Sequence, residues 1–202
     1  MSDSPLPETA TDAVEALLDE VTTESQPQPV LQVDNLSGKV ATVSGGSSGI
    51  GRAVALELAR CGAHIAFCYL DDGGQSRSEA EEVASELRQM EVQVFFRSCD
   101  VRESSDVNSF VSETEEELGG VDVLVNNAGI GRDAPMWLMT DHDWEAVLRT
   151  NLDGAFHFTR AVAPTMRAQE YGKIVNITSV HGMRTEFGIS NYSSSKAGLI
   201  GL

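Results

Sequence analysis

The chain has 202 residues, 41% hydrophobic and 22% charged, with a formal net charge of −17. That length supports one good-sized core, and the acidic balance argues against nucleic acid as a partner because phosphates would be repelled. Three unevenly spaced cysteines (Cys61, Cys68, Cys99) with no C-x-x-C pair exclude a disulfide framework and a zinc ribbon, and the longest uncharged apolar run, Ile65 to Leu70, is far too short to cross a bilayer. These bounds predict a reduced, soluble, cytoplasmic enzyme or small-molecule binder that uses neither membrane nor metal.

Residues 1–36 form a distinct first segment, expected to be an acidic, disordered tail with one short amphipathic helix. The first 38 residues hold eight acids and no Lys or Arg. Val14, Leu17, Leu18 and Val21 fall on one helical face. From residue 37 to 202 the pattern is that of one regular domain. Val40–Ser44 reads as a buried strand and Ile50–Arg60 as a helix stopped by Gly62. His64–Tyr69 is a second strand, and the run 79–90 a second helix with Val83 and Leu87 on one face. Residues 92–98 read as a third strand and Ser104–Leu118 as a helix ending at Gly119-Gly120. A fourth strand is expected over 121–125, then one long helix over 141–166, bent where Pro164 removes a donor. Residues 173–177 make a fifth strand, and a last helix opens near Ser190. The strands are continuous apolar runs that alternate with helices. Such a pattern predicts an α/β fold, a doubly wound parallel sheet of Rossmann type covered on both faces. Ligands of such sheets sit at the carboxyl ends of the strands.

The turn after the first strand, Ser44-Gly45-Gly46-Ser47-Ser48-Gly49-Ile50-Gly51, carries glycines spaced G-x-x-x-G-x-G. Glycines there permit a tight turn and a close approach of backbone to pyrophosphate, with free N–H groups at a helix N-terminus facing the anion. A dinucleotide is therefore the expected ligand. This spacing resembles the turn of the short-chain dehydrogenase/reductase family. So do Asp100-Val101 after the third strand, Asn126-Asn127-Ala128-Gly129 after the fourth, Asn151 within the long helix, Ser179 after the fifth strand, and Tyr192-Ser-Ser-Ser-Lys196, which begins 13 residues beyond Ser179. The resemblance runs from Leu36 to the last residue.

What the resemblance implies is a catalytic set of Asn151, Ser179, Tyr192 and Lys196. Ser44, Gly45, Ser47, Ser48, Gly49, Ile50, Gly51, Tyr69, Asp100, Val101, Asn127, Ala128, Gly129, Tyr192 and Lys196 would bind the cofactor. Tyr and Lys at i and i+4 share a helix face, and an ammonium near a phenol favours the phenolate. Tyr192 would then exchange a proton with a substrate oxygen, and the Ser179 hydroxyl would hold that oxygen as charge develops. By resemblance Lys196 also binds the nicotinamide ribose, and Asn151 holds a water that links Lys196 to solvent. Tyr69 stands at the end of strand two where NAD-preferring members carry Asp, which leans toward NADP, with NAD as the alternative. Ser48 lacks the basic side chain of many NADP-preferring members; Asp71 and Asp72 would either bind the 2′-hydroxyl or repel a 2′-phosphate, and Arg77 would offset them.

Residues 126–139 and 176–198 resemble the reductases of 3-oxoacyl thioesters, carried on acyl-carrier protein or CoA. Ile189 stands where those enzymes commonly have Gln, and Ser44 replaces their Thr. The implied reaction is NAD(P)-dependent reduction of a ketone to a secondary alcohol with Tyr as general acid. The alternatives are a dehydrogenase of a small alcohol, sugar or hydroxy acid, or an inactive dinucleotide-binding fragment. Trp137 and Trp144 are expected to pack at the start of the long helix. The resemblance also implies a fold incomplete at its C-terminal end, weak or no turnover by the 202 residues alone, and a homodimer or homotetramer when complete.

Overall fold

The computed structural model describes residues 36–202. The expected tail and its amphipathic helix, residues 14–21, lie outside the described residues. Leu36 already packs against the core, and its N–H donates to the Cys61 carbonyl (3.2 Å).

The elements are β1 (Val40–Ser44), α1 (Gly49–Arg60), β2 (His64–Tyr69), α2 (Gln75–Arg88), β3 (Val94–Ser98), α3 (Ser104–Leu118), β4 (Val123–Asn126), α4 (Asp141–Leu148), α5 (Gly154–Ala168), β5 (Lys173–Asn176) and α6 (Ser190–Gly201). All strand pairs are parallel, in the order β3-β2-β1-β4-β5. The order reverses between β1 and β4, so the loops after these two strands flank the crevice where such sheets bind ligands.

Strand alternation builds the two faces. On one, Val43, Ile65, Phe67 and Tyr69 meet Ala55, Leu56 and Ala59 of α1 and Val83 and Leu87 of α2. On the other, Ala66, Cys68 and Leu124 meet Val107 and Phe110 of α3 and Phe158 and Val162 of α5. Phe67 stacks on Phe96 at 5.3 Å, and Phe110 meets Phe158 edge-on at 5.8 Å. Each fully buried large side chain contributes about 1.5–3 kcal/mol relative to exposure. Cys68 and Cys99 fill core positions, while Cys61 is partly exposed.

Five details differ from the sequence expectation. Helix α2 begins at Gln75, where Asp72 accepts from the Ser76 N–H (3.1 Å), rather than at residue 79. β3 begins at 94 rather than 92, and β4 spans 123–126 rather than 121–125, which puts Asn126 in the sheet. The long helix runs through Pro164; its hydrogen bonding changes at Arg149–Asp153, a π-helical turn between α4 and α5. Among the described residues β5 lies at the edge of the sheet, with Ile174 and Val175 exposed. No helix among the described residues is long and apolar enough to cross a membrane.

Candidate active site

The glycine turn is held from beneath by the loop after β4. The buried Ser44 hydroxyl accepts from the backbone N–H groups of Asn127 (3.0 Å) and Ala128 (3.1 Å). The Asn127 amide Nδ2 donates back to the carbonyls of Ser44 and Gly45, both at 3.0 Å. Gly46 N–H donates to the Cys68 carbonyl (3.0 Å), which joins the turn to β2. A Cβ on Gly51 would lie 2.1 Å from the Gly45 carbonyl oxygen and 2.5 Å from Asn127 Nδ2. Only glycine permits that approach. Gly45 (φ +67°) and Gly49 (φ +52°) take left-handed backbone that glycine adopts without steric cost. Gly49 has open space where a Cβ would point, whereas Gly45 and Gly51 lie against protein.

Above this turn lies one extended cleft of about 750 Å³. One end is walled by Gly45, Ser47, Ser48, Ile50 and Tyr69, the middle by Asp100, Val101, Asn127, Ala128 and Gly129, and the other end by Tyr192 and Lys196. These are twelve of the residues expected at the site. Ser44 and Gly51 pack beneath the lining, while Gly49 borders open space. Asn151 and Ser179 stand outside the lining. The cleft has the size of a cofactor pocket, and a glycine turn opening onto the N-terminus of α1 suits a pyrophosphate.

Lys196 is almost fully buried. Its ammonium donates to the Ile177 carbonyl (2.6 Å) and stands 5.7 Å from the centre of the Tyr192 ring, one helical turn away on α6. Burial pushes the Lys196 pKa below the ordinary lysine range. Ser179 follows the end of β5, and its hydroxyl accepts from the His181 N–H (3.2 Å). The His181 ring meets the Tyr192 ring edge-on at 6.4 Å. Asn151, within the π-helical turn, accepts from the Ile130 N–H (2.8 Å) and donates to the Ile130 carbonyl (3.0 Å) and to Ser195 Oγ (3.0 Å). A Cβ on Gly129 would lie 3.3 Å from Asn151 Oδ1 and 3.6 Å from Lys196 Nζ. Asn151 and Lys196 therefore converge behind that glycine.

Asp100 is bound by Arg102, with contacts of 2.6, 2.8 and 3.1 Å, and this guanidinium holds its carboxyl below the usual carboxylate range. Arg77 pairs with Glu81 (3.1 Å) and also feels the Asp71 charge, though it bonds to neither Asp71 nor Asp72. Asp72 accepts from both the N–H (3.1 Å) and the hydroxyl (2.5 Å) of Ser76. Trp137 is a further correction: it is 75% exposed and faces Phe187 at 6.1 Å instead of packing on the long helix. Sequence reasoning missed Arg102, Thr150 and His142, which also line the cleft. Arg102 lies two residues beyond Asp100, a spacing that could have flagged it. His142 and Thr150 come from a helix whose placement across the cleft no local pattern encodes.

The model of the short chain dehydrogenase family matches residues 39–202. A 3-oxoacyl-(acyl-carrier-protein) reductase of Staphylococcus epidermidis is 40% identical over 81% of this chain and 66% of its own length. A 3-oxoacyl-(acyl-carrier-protein) reductase of Synechocystis is 40% identical over 82% of this chain and 66% of its own length. The crystal structure of an NAD+-bound xylitol dehydrogenase superposes with a TM-score of 0.78 at 34% identity, covering 83% of this chain and 63% of that one. The chain thus spans about two thirds of the length of the curated relatives it matches.

Proposed function

Because the chain belongs to the short-chain dehydrogenase family, we propose that it is the catalytic core of an NAD(P)-dependent reductase of 3-oxoacyl thioesters, carried on acyl-carrier protein or CoA. The observation that carries this reading is the cleft itself, with the glycine turn at one end and the Tyr192–Lys196 pair at the other. Both curated relatives described above are named for that reaction. When bound, the nicotinamide would supply the hydride.

The remaining work falls to the chain's own side chains. Tyr192 donates its phenolic proton to the substrate carbonyl oxygen. The Lys196 ammonium, one turn along α6, stabilises the phenolate that this leaves. In a buried site that interaction is stronger than in water. Ser179, on the loop after β5, is the hydrogen-bond donor for the developing oxyanion. Asn151 holds the π-helical turn against Ile130 and so sets the wall behind Gly129.

NADP is the proposed cofactor. Tyr69 occupies the end of β2, and the Asp72 carboxylate is occupied by Ser76 rather than open to a ribose hydroxyl. NAD is the second reading. Asp72 and Glu79 line that end of the cleft, and Arg102 on the wall is bound to Asp100. We place the protein in the cytoplasm, as a homodimer or homotetramer.

The test is a titration of the chain with NADPH and NADH followed by nicotinamide fluorescence, then a 3-oxoacyl-CoA turnover assay with Tyr192→Phe alongside. The expected result is saturable binding in both proteins, tighter for NADPH, with turnover reduced about 10³-fold in the variant. A variant rate within tenfold of wild type overturns the role of Tyr192. Binding without turnover by the 202 residues is the outcome expected of them alone, and absence of turnover in a chain extended to the length of its relatives favours the binding-fragment alternative.

A further inference from the structure

The residue before Lys196 is a serine with no role in the chemistry above. Ser195 is fully buried, and its surroundings are polar on both sides of the hydroxyl. Its Oγ donates to the Tyr192 carbonyl one turn back (2.7 Å) and accepts from Asn151 Nδ2 (3.0 Å). Asn151, also buried, spends its remaining capacity on one residue, accepting from Ile130 N–H and donating to the Ile130 carbonyl. The pair of bonds to Ile130 fixes which end of the amide is oxygen, so the second Nδ2 proton has a single direction. It points at Ser195.

We propose that Ser195 is a positioning residue: it locks the Asn151 amide, and through it ties the loop after β4 to the helix that carries Tyr192 and Lys196. Three segments meet in this chain of bonds: Ile130 on the loop, Asn151 in the π-helical turn, and residues 192–196 on α6. Gly129, Ile130, Tyr192 and Lys196 all line the cleft, with Lys196 Nζ close behind Gly129. Without the hydroxyl, Asn151 keeps its loop contacts but loses its hold on α6, and a buried N–H is left without a partner. A buried donor is rarely left so. The π-helical turn matters here because it widens the helix at the point where Asn151 must reach across to both neighbours. The effect on chemistry is geometric. A loosened wall misplaces the reacting groups while leaving the glycine turn, more than 140 residues away in sequence, untouched.

The inference rests on the reductase reading for its catalytic consequence, so the experiment has an arm that does not. In the 202-residue chain, the Asn151 side-chain amide is followed by 15N NMR, assigned through its loss in Asn151→Asp, and its proton exchange is compared in wild type, Ser195→Ala and Ser195→Thr. The expected result is at least a tenfold faster exchange in Ser195→Ala, restored to within threefold of wild type in Ser195→Thr, with NADPH affinity within threefold in all. Unchanged exchange in Ser195→Ala overturns the proposal, whatever the enzyme does. In turnover, Ser195→Ala is expected to lower kcat about tenfold with KM within twofold, and Ser195→Thr to recover it. An unchanged kcat in an active protein also overturns the proposal. Faster exchange supports the positioning role even where the 202 residues show no turnover, and absence of turnover in a chain extended to the length of its relatives counts against the reductase reading alone.

Discussion

The two ends of the cleft are built on different principles. At the glycine turn the walls are backbone, and the backbone is trapped. Ser44, Asn127 and Gly51 are packed so closely that a single Cβ collides with a carbonyl oxygen. At the other end Tyr192 and Lys196 present side chains, and outside the cleft lining the loops after β4 and β5 carry exposed ones. Met136, Trp137, Met183 and Phe187 are each more than 60% exposed, and the loops are joined by one backbone bond from Ala134 N–H to the Gly188 carbonyl (2.8 Å). Recognition by backbone tolerates no change in volume, because tightly packed atoms have nowhere to go. Substitution of exposed side chains, by contrast, costs little stability.

That contrast can be broken by substitution. Gly51→Ala is expected to have the largest effect, a loss of about 3 kcal/mol in unfolding free energy, as overpacking of a rigid site typically costs 1–3 kcal/mol. Urea denaturation measures it, and nicotinamide fluorescence should report a loss of NADPH binding at the same time. Near-native stability and affinity in this variant would mean that the turn is looser than its contacts imply.

Lys196→Met, at the Tyr192 end of the cleft, tests the cost of the buried ammonium. The lysine pKa is lowered by desolvation, so over the interval between the folded and unfolded values the unfolded chain binds more protons. Stability of the wild type should therefore rise with pH across that interval, below and up to the ordinary lysine range. The Met variant lacks this gain. Urea unfolding at pH 7 and again at pH 9.5 should show the wild type gaining on the variant, while the variant shows no turnover at either pH. A constant difference would remove the argument for a destabilised charge.

Trp137→Ala should have the smallest effect on the fold, within about 0.5 kcal/mol, since the ring is an exposed surface side chain. Under the proposed reductase reading, its expected signature is a several-fold rise in KM for a 3-oxoacyl thioester with the NADPH dissociation constant unchanged. A stability loss comparable to Gly51→Ala would erase the distinction between the two ends.

Much of this was legible in the sequence, and the reason is locality. The strand β2 and the helix α3 have the predicted bounds because apolar periodicity over six to fifteen residues reports directly on burial. The glycine turn and the Tyr192–Lys196 pair were legible because each is a short spacing with a local geometric meaning. Trp137 was misread for the opposite reason: aromatic character suggests burial, but its partner is Phe187, fifty residues on. Pro164 was expected to disturb the long helix, and the departure from α-helical bonding instead occurs at Arg149–Asp153, around the one Asn that must reach a distant loop.

The sequence by itself determined the alternation of strands and helices, the turn able to face a pyrophosphate, and the helix face that pairs a phenol with an ammonium. Tertiary structure alone decided the strand order, the exposure of β5, the bond from Ser44 to Asn127 across 83 residues, and the bond from Asn151 to Ser195 across 44. Periodicity reports on a residue's chain neighbours and on whether its face is buried. It carries no information about which distant group will satisfy a buried hydroxyl or amide, and in this molecule those long-range polar bonds hold the two ends of the cleft in place.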